Sequence, residues 1–115
     1  MKTIIAGGRD LARPRLVEAA MEDCPWQPSE IVSGAARGID RMGEEWAGER
    51  EIPVKQFPAD WDTHPKSAGP IRNRQMAKYA DALVAIWDGK SRGTKNMIEE
   101  AKRKNLEIHI HRVDS

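Results

Sequence analysis

With a single cysteine, Cys24, the chain can close no intrachain disulfide and cannot build a cysteine-rich zinc site. Charge of one dominant sign is lacking too, since 19 Lys plus Arg stand against 18 Asp plus Glu and leave +1. Wholesale binding to duplex nucleic acid needs a basic face, so this near-cancellation argues against that function. Long apolar runs are absent, which excludes a membrane span, and the stretch within Met1–Gly8 is too short for the core of a signal peptide. Aromatic residues other than tryptophan are scarce, at one Phe and one Tyr against four Trp, so each exposed indole is worth tracing. A chain of 115 residues fits one domain, expected here to span residues 1–115. The expected setting is soluble and cytoplasmic, with no membrane partner, no metal and no cofactor.

What is present is an alternation of short apolar runs and longer amphipathic stretches. Thr3-Ile4-Ile5-Ala6 and Ala82-Leu83-Val84-Ala85-Ile86-Trp87 read as strands buried on both faces. Glu30-Ile31-Val32-Ser33 is a further strand, and Pro53-Val54-Lys55-Gln56-Phe57 a weaker one. Leu106, Ile108 and Ile110 alternate with Glu107, His109 and His111, the pattern of an edge strand with one wet face. Between them lie helical stretches: Pro14 to Cys24, Arg37 to Arg50, Ile71 to Tyr79 behind Pro70, and Thr94 to Lys104. Residues 59–69 read as a long loop. Five strands separated by helices predict an α/β domain of three layers, Rossmann-like, with a mainly parallel sheet and helices on both faces. In such a sheet the ligand sits outside the carboxyl ends of the strands, where the strand order reverses.

The residues after those strand ends have the chemistry for an anion. Gly7-Gly8-Arg9 follows the first strand, Ser33-Gly34-Ala35 with Arg37 and Asp40 the second, and Asp60-Trp61 the third. Trp87 leads into Ser91-Arg92-Gly93-Thr94, the best phosphate cradle, because it offers backbone amides, two hydroxyls and a guanidinium at a helix start. Arg72 and Asn73 are expected in the first turn of their helix, where a cation opposes the dipole and a bound anion would explain it. The competing explanation is an ion pair with Asp60 or Asp62. Trp61 and Trp87 are placed to stack on a base, while Trp46 suits the core and Trp26 a loop cover. His109 and His111 share a strand face without a third ligand, which argues against a metal, and His64 reads as a surface residue.

Several of these pieces occur together and in one order: Ile5-Ala6-Gly7-Gly8-Arg9-Asp10, Ile31-Val32-Ser33-Gly34-Ala35-Ala36-Arg37-Gly38-Ile39-Asp40, Pro58-Ala59-Asp60-Trp61, Ala68-Gly69-Pro70-Ile71-Arg72-Asn73-Arg74-Gln75-Met76, and Asp88-Gly89-Lys90-Ser91-Arg92-Gly93-Thr94. In this the chain resembles the YspA-like, cpYpsA-related branch of the SLOG superfamily, found in bacteria and phages. The resemblance implies a Rossmann-like sheet, a small-molecule ligand of nucleotide type (ADP-ribose-like or another phosphorylated nucleoside), and a capacity to form a homo-oligomer. It extends distantly to the Lonely Guy phosphoribohydrolases, whose Gly-Gly-x-Gly-Thr-x-x-Glu signature carries a catalytic carboxylate. Here Gly93-Thr94 matches the Gly-Thr and Met97 stands where the Glu belongs, with Glu99 and Glu100 out of register. Binding is therefore expected ahead of hydrolysis. Two alternatives remain: a nucleoside-monophosphate N-glycosidase with Asp60, Asp40 or Glu99 as its acid, and a single-stranded nucleic-acid-binding module using the arginines and tryptophans.

Overall fold

A computed structural model describes residues 1–11 and 13–113. The elements run β1 (Lys2–Gly7), α1 (Pro14–Asp23), β2 (Glu30–Ser33), α2 (Ile39–Glu49), β3 (Val54–Gln56), α3 (Ala68–Tyr79), β4 (Ala82–Trp87), α4 (Arg92–Arg103) and β5 (Glu107–Arg112). The strands form one sheet in the order β3-β2-β1-β4-β5. All four ladders are parallel, with Ile4 opposite Val32 on one side and Leu83 on the other. The expected Rossmann-like α/β fold is the one found.

Side chains alternate across a strand, so β1 and β4 feed two separate cores. Ile4, Ala6, Leu83 and Ala85 pack with Met76, Met97, Ile98 and Ala101 of α3 and α4. Ile5, Val84 and Ile86 pack on the opposite face with Val17 and Ala20 of α1 and Ile39 and Ala47 of α2. Fully burying one such aliphatic side chain contributes about 1.5–3 kcal/mol, which explains the apolar runs Ile4–Ala6 and Ala82–Ile86, whereas the buried Thr3 hydroxyl is satisfied by Met1 O and Trp26 Nε1. Chain order reverses between β1, which leads outward to β2, and β4, which leads outward to β5. The crevice that fold logic anticipates therefore lies between these two strands.

Three expectations need correcting. Helix α3 begins at Ala68 rather than Ile71, because a turn through His64 (Ala68 N–H to His64 O, 2.9 Å) already leads into it. Pro70 fits within that first turn, whose amides have no intrahelical acceptor. Arg72 and Asn73 consequently fall in the second turn, and the argument from an opposed dipole lapses. Helix α2 begins at Ile39, two residues later than expected, behind Gly38 with φ of +79°. A Cβ at Gly38 would lie 2.5 Å from the carbonyl oxygens of Gly8 and Arg9, so both conformation and space call for glycine. In β5, Ile110 is 40% exposed whereas His109 and His111 are half-buried. An edge strand has a neighbour on one side only, and its apolar alternation is not enough to cover both isoleucines. Among the described residues no helix is long and apolar enough to cross a membrane.

Candidate functional site

A cavity of about 810 Å³ opens at the carboxyl ends of β1 and β4. This falls within the range that holds small organic ligands, ~300–1,000 Å³. Three helix starts border it: Asp40 of α2, Gly69 and Pro70 of α3, and Ser91 to Thr94 of α4. The first βα turn, Gly7 to Leu11, supplies the remaining rim with Trp61.

The β4–α4 turn is built from within. Asp88 Oδ1 accepts the amides of Lys90 and Ser91, both at 2.8 Å, and these backbone bonds, Ser91 first, hold its carboxyl below the ordinary value. Ser91 Oγ then accepts the Thr94 amide at 3.4 Å as the N-cap. Trp87 Nε1 donates to Ser91 O at 3.1 Å, fixing the turn from below. Among the described residues no acceptor meets the first two helical amides, Arg92 and Gly93, both residues line the cavity, and the positive end of the helix dipole lies at this start. A Cβ on Gly93 would meet nothing within 4 Å, so this glycine answers no packing demand. Asn73 Nδ2 bridges from α3 to Gly93 O (3.3 Å) and Asn96 Oδ1 (2.9 Å), holding the two helix starts together.

On the opposite wall lies a buried charged pair. Arg72 is 9% exposed; its Nη1 donates to Gly34 O at 2.6 Å and its Nε to Asn73 Oδ1 at 2.9 Å. A Cβ on Gly34 would sit 2.5 Å from Arg72 Nη1 and 2.7 Å from Asp40 Oδ2, so this glycine leaves room for both charged groups. Asp40 is 7% exposed and accepts the Ala36 amide at 3.3 Å. Burial pushes its carboxyl up to about 6, against the opposing pull of the Arg72 guanidinium. Burial likewise draws the Arg72 pKa down. A carboxyl that titrates near neutrality in a cleft wall can hold or release a proton under physiological conditions.

The cavity gathers many of the residues named from sequence and leaves others aside. Gly7, Gly8, Arg9, Asp40, Trp61, Arg72, Asn73, Ser91, Arg92, Gly93 and Thr94 line it. Trp61 is 44% exposed, and the Arg9 guanidinium lies 5.4 Å from its ring centroid. Ser33, Gly34 and Ala35 do not line it, because that turn is closed on itself: Ser33 Oγ donates to Glu44 Oε2 at 2.6 Å and accepts the Ala35 amide at 3.0 Å. Arg37 points outward to Asp10, 3.4 Å away, with 74% of its side chain exposed. Trp87 is committed beneath the α4 turn, with the Arg112 guanidinium 5.4 Å from its ring. Asp60 is exposed and outside the cavity; bonds from Thr63 lower its pKa. No ion pair joins Arg72 to Asp60 or Asp62 among the described residues.

Glu99 is exposed on the outer side of α4, and buried Glu100 is held by Arg103 at 3.2 Å and Arg74 at 4.0 Å. Met97, in the position of the Lonely Guy glutamate, is 1% exposed, packs in the core under α3 and α4 and lines the cleft, where it can supply no carboxylate. Sequence reading passed over Asn96, Lys90 and Ala36, which also line the cavity. The spacing of Asn96, four residues after Arg92, was the available signal, because such positions share a helix face.

The description "YspA, cpYpsA-related SLOG family" belongs to a family model that matches residues 1–64, from β1 through the segment that carries Trp61. Gene 61 protein of Mycobacterium phage D29 is 36% identical over 84 residues, covering 68% of this chain and 67% of the phage protein. DNA processing protein A (DprA) from Streptococcus pneumoniae is similar in fold, with a TM-score of 0.75 at 18% identity. The superposition covers 95% of this chain and 49% of DprA, so the chain spans about half the length of that protein. With the matched motifs in β1, β2 and the turns that follow them, the chain belongs to the YspA, cpYpsA-related SLOG family.

Proposed function

We propose that this chain binds a phosphorylated nucleoside in the cleft between β1 and β4. SLOG membership and a DprA-like fold support nucleotide or nucleic-acid processing as the broad class. The observation that favours a small nucleotide is the start of α4, whose Arg92 and Gly93 line the same cavity as Trp61. Phosphate would lie at the Arg92 and Gly93 amides, with the Arg92 and Lys90 side chains, and the base against the Trp61 indole. A reducing, cytoplasmic setting is consistent with the lone Cys24.

Titration calorimetry against nucleoside mono- and diphosphates and ADP-ribose tests the reading. Arg92→Ala should weaken binding at least about tenfold, roughly 1.4 kcal/mol, without lowering thermal stability. No binding by the wild type, or equal binding by the variant, would overturn it. Binding confined to oligonucleotides, with a steep salt dependence, would favour the single-strand alternative, which the +1 net charge opposes.

One observation favours N-glycosidic cleavage as a second reading: Asp40 is a buried carboxyl in the cleft wall with a pKa of about 6. Of the three acid candidates only Asp40 lines the cavity. Release of free base from a nucleoside monophosphate, lost in Asp40→Asn, would support turnover. Binding without release would confine the chain to recognition.

A further inference from the structure

The β4–α4 turn is closed from within by Asp88 and Trp87, but its first glycine is held by a residue of another strand. Gly89 has φ of +83°, the left-handed region that glycine enters without strain. The same freedom makes it the softest point of the turn, because a glycine backbone has the widest choice of conformations. The three atoms nearest to a Cβ built on Gly89 all belong to Arg112: Nη2 at 2.6 Å, Cζ at 3.0 Å and Nη1 at 3.3 Å. The guanidinium therefore packs directly against the glycine.

Arg112 is itself well anchored. It ends β5, lies opposite Trp87 in the parallel ladder with β4, and is followed by Val113, whose amide donates to Trp87 O at 2.9 Å. Its guanidinium lies over the Trp87 ring, 5.4 Å from the centroid, a cation–π contact. Trp87 in turn donates through Nε1 to Ser91 O at 3.1 Å. One side chain thus braces both the indole beneath the turn and the glycine within it. Beyond the glycine, Asp88 Oδ1 holds the amides of Lys90 and Ser91.

The residues that follow Gly89 are those that face a ligand. Lys90, Ser91, Arg92 and Gly93 line the cleft, and Arg112 lies outside its lining. Any movement of the Gly89 peptide would carry Lys90 and the start of α4 with it.

We infer that Arg112 is a positioning residue for the phosphate end of the ligand, holding the Gly89 turn so that Lys90 and the start of α4 stand in one place. This rests on the reading that the cleft binds a phosphorylated nucleoside. A turn already held in its binding conformation loses less freedom when the ligand arrives, so affinity is gained without a contact to the ligand. Arg112 is an exposed residue at a strand end, and its loss should cost the fold little.

Calorimetry with ADP-ribose and a nucleoside diphosphate, beside amide hydrogen exchange, tests this. Arg112→Ala should weaken binding about tenfold and speed exchange of the Lys90 and Ser91 amides, with the thermal midpoint nearly unchanged. Arg112→Lys keeps the charge but lacks the planar group that packs on Gly89, and should bind nearly as weakly. The deficit of Arg112→Ala should persist in about 1 M salt, where the screening length falls to ~3 Å. Restored binding in Arg112→Lys, or a deficit that vanishes in salt, would mean that Arg112 acts only as a distant charge and overturns the positioning role. Exchange raised evenly across the sheet with a lowered midpoint overturns it too, since the residue would then serve the whole fold. Wild-type binding that Arg112→Ala leaves unchanged overturns the positioning role and leaves the nucleotide reading standing. Faster local exchange in a chain that binds neither probe upholds the hold on the turn and overturns the nucleotide reading.

Discussion

Two turns at the same rim, β2–α2 and β4–α4, begin from similar residues and end in opposite states. Each carries Ser, Gly, Arg and a small residue after a buried strand. In the first, several polar groups find protein partners: Ser33 is bonded to Glu44, Ala35 to Ser33, Ala36 to Asp40, and Gly34 O to Arg72. In the second, Asp88 and Ser91 satisfy the amides of Lys90, Ser91 and Thr94, and those of Arg92 and Gly93, which line the cavity, have no acceptor among the described residues. The difference comes from α3, which inserts a buried arginine against the first turn and only a bridging asparagine against the second. Glycine beside the serine therefore marks close approach of a side chain in the first turn, at Gly34, and open space in the second, at Gly93.

The comparison can be broken by mutation. Arg72→Ala should cost about 3 kcal/mol in urea unfolding, since it removes two buried hydrogen bonds to a charge and the cation beside Asp40. An equally large loss in exposed Arg92→Ala would erase the distinction between a structural turn and a binding turn.

A pH series sharpens it next. The Asp40 carboxyl titrates at about 6 in the fold against 3.8 as its ordinary value, so folding takes up a proton between those limits. Stability should fall as pH rises through that window, with the loss complete above about 6 and on the order of 3 kcal/mol at most. Asp40→Asn should remove that part of the slope in thermal unfolding. A wild-type curve that instead rises, relative to the variant, would contradict the burial argument.

Smaller effects distinguish the two helix starts further. Ser91→Ala removes the α4 cap and should cost about 1 kcal/mol while also weakening phosphate binding, measured by unfolding and calorimetry on the same variant. Glu99→Gln, on the exposed outer side of α4, should leave both quantities within about 0.5 kcal/mol of wild type. A loss of ligand turnover in that variant would restore Glu99 as a catalytic candidate.

Much of the fold was legible because burial on both faces leaves a plain trace. Ala82 to Trp87 is apolar almost throughout, and it proved to be the strand beside the switch point. Helix α4 was similarly clear, with Met97, Ile98 and Ala101 on the buried side. The start of α3 was not, because a proline in a first turn looks the same as one in a loop. The buried state of Arg72 was within reach, since it shares a helix face with Ala68 and Met76 at four-residue spacing. Charge alone had suggested a surface or a ligand, and the apolar stripe pointed inward.

The sequence by itself determined the alternation of strands and helices, and with it the edge of the sheet at which polar turns gather. Hydrophobic periodicity is a local property, and the handedness of parallel connections leaves few arrangements for it. Which polar turn is spent on the fold and which remains open was decided only in three dimensions. A serine, glycine or arginine has the same donors and acceptors wherever it stands. Its partner can come from a segment 38 residues away, as Arg72 does for Gly34. That pairing exists only once α3 has packed across the sheet.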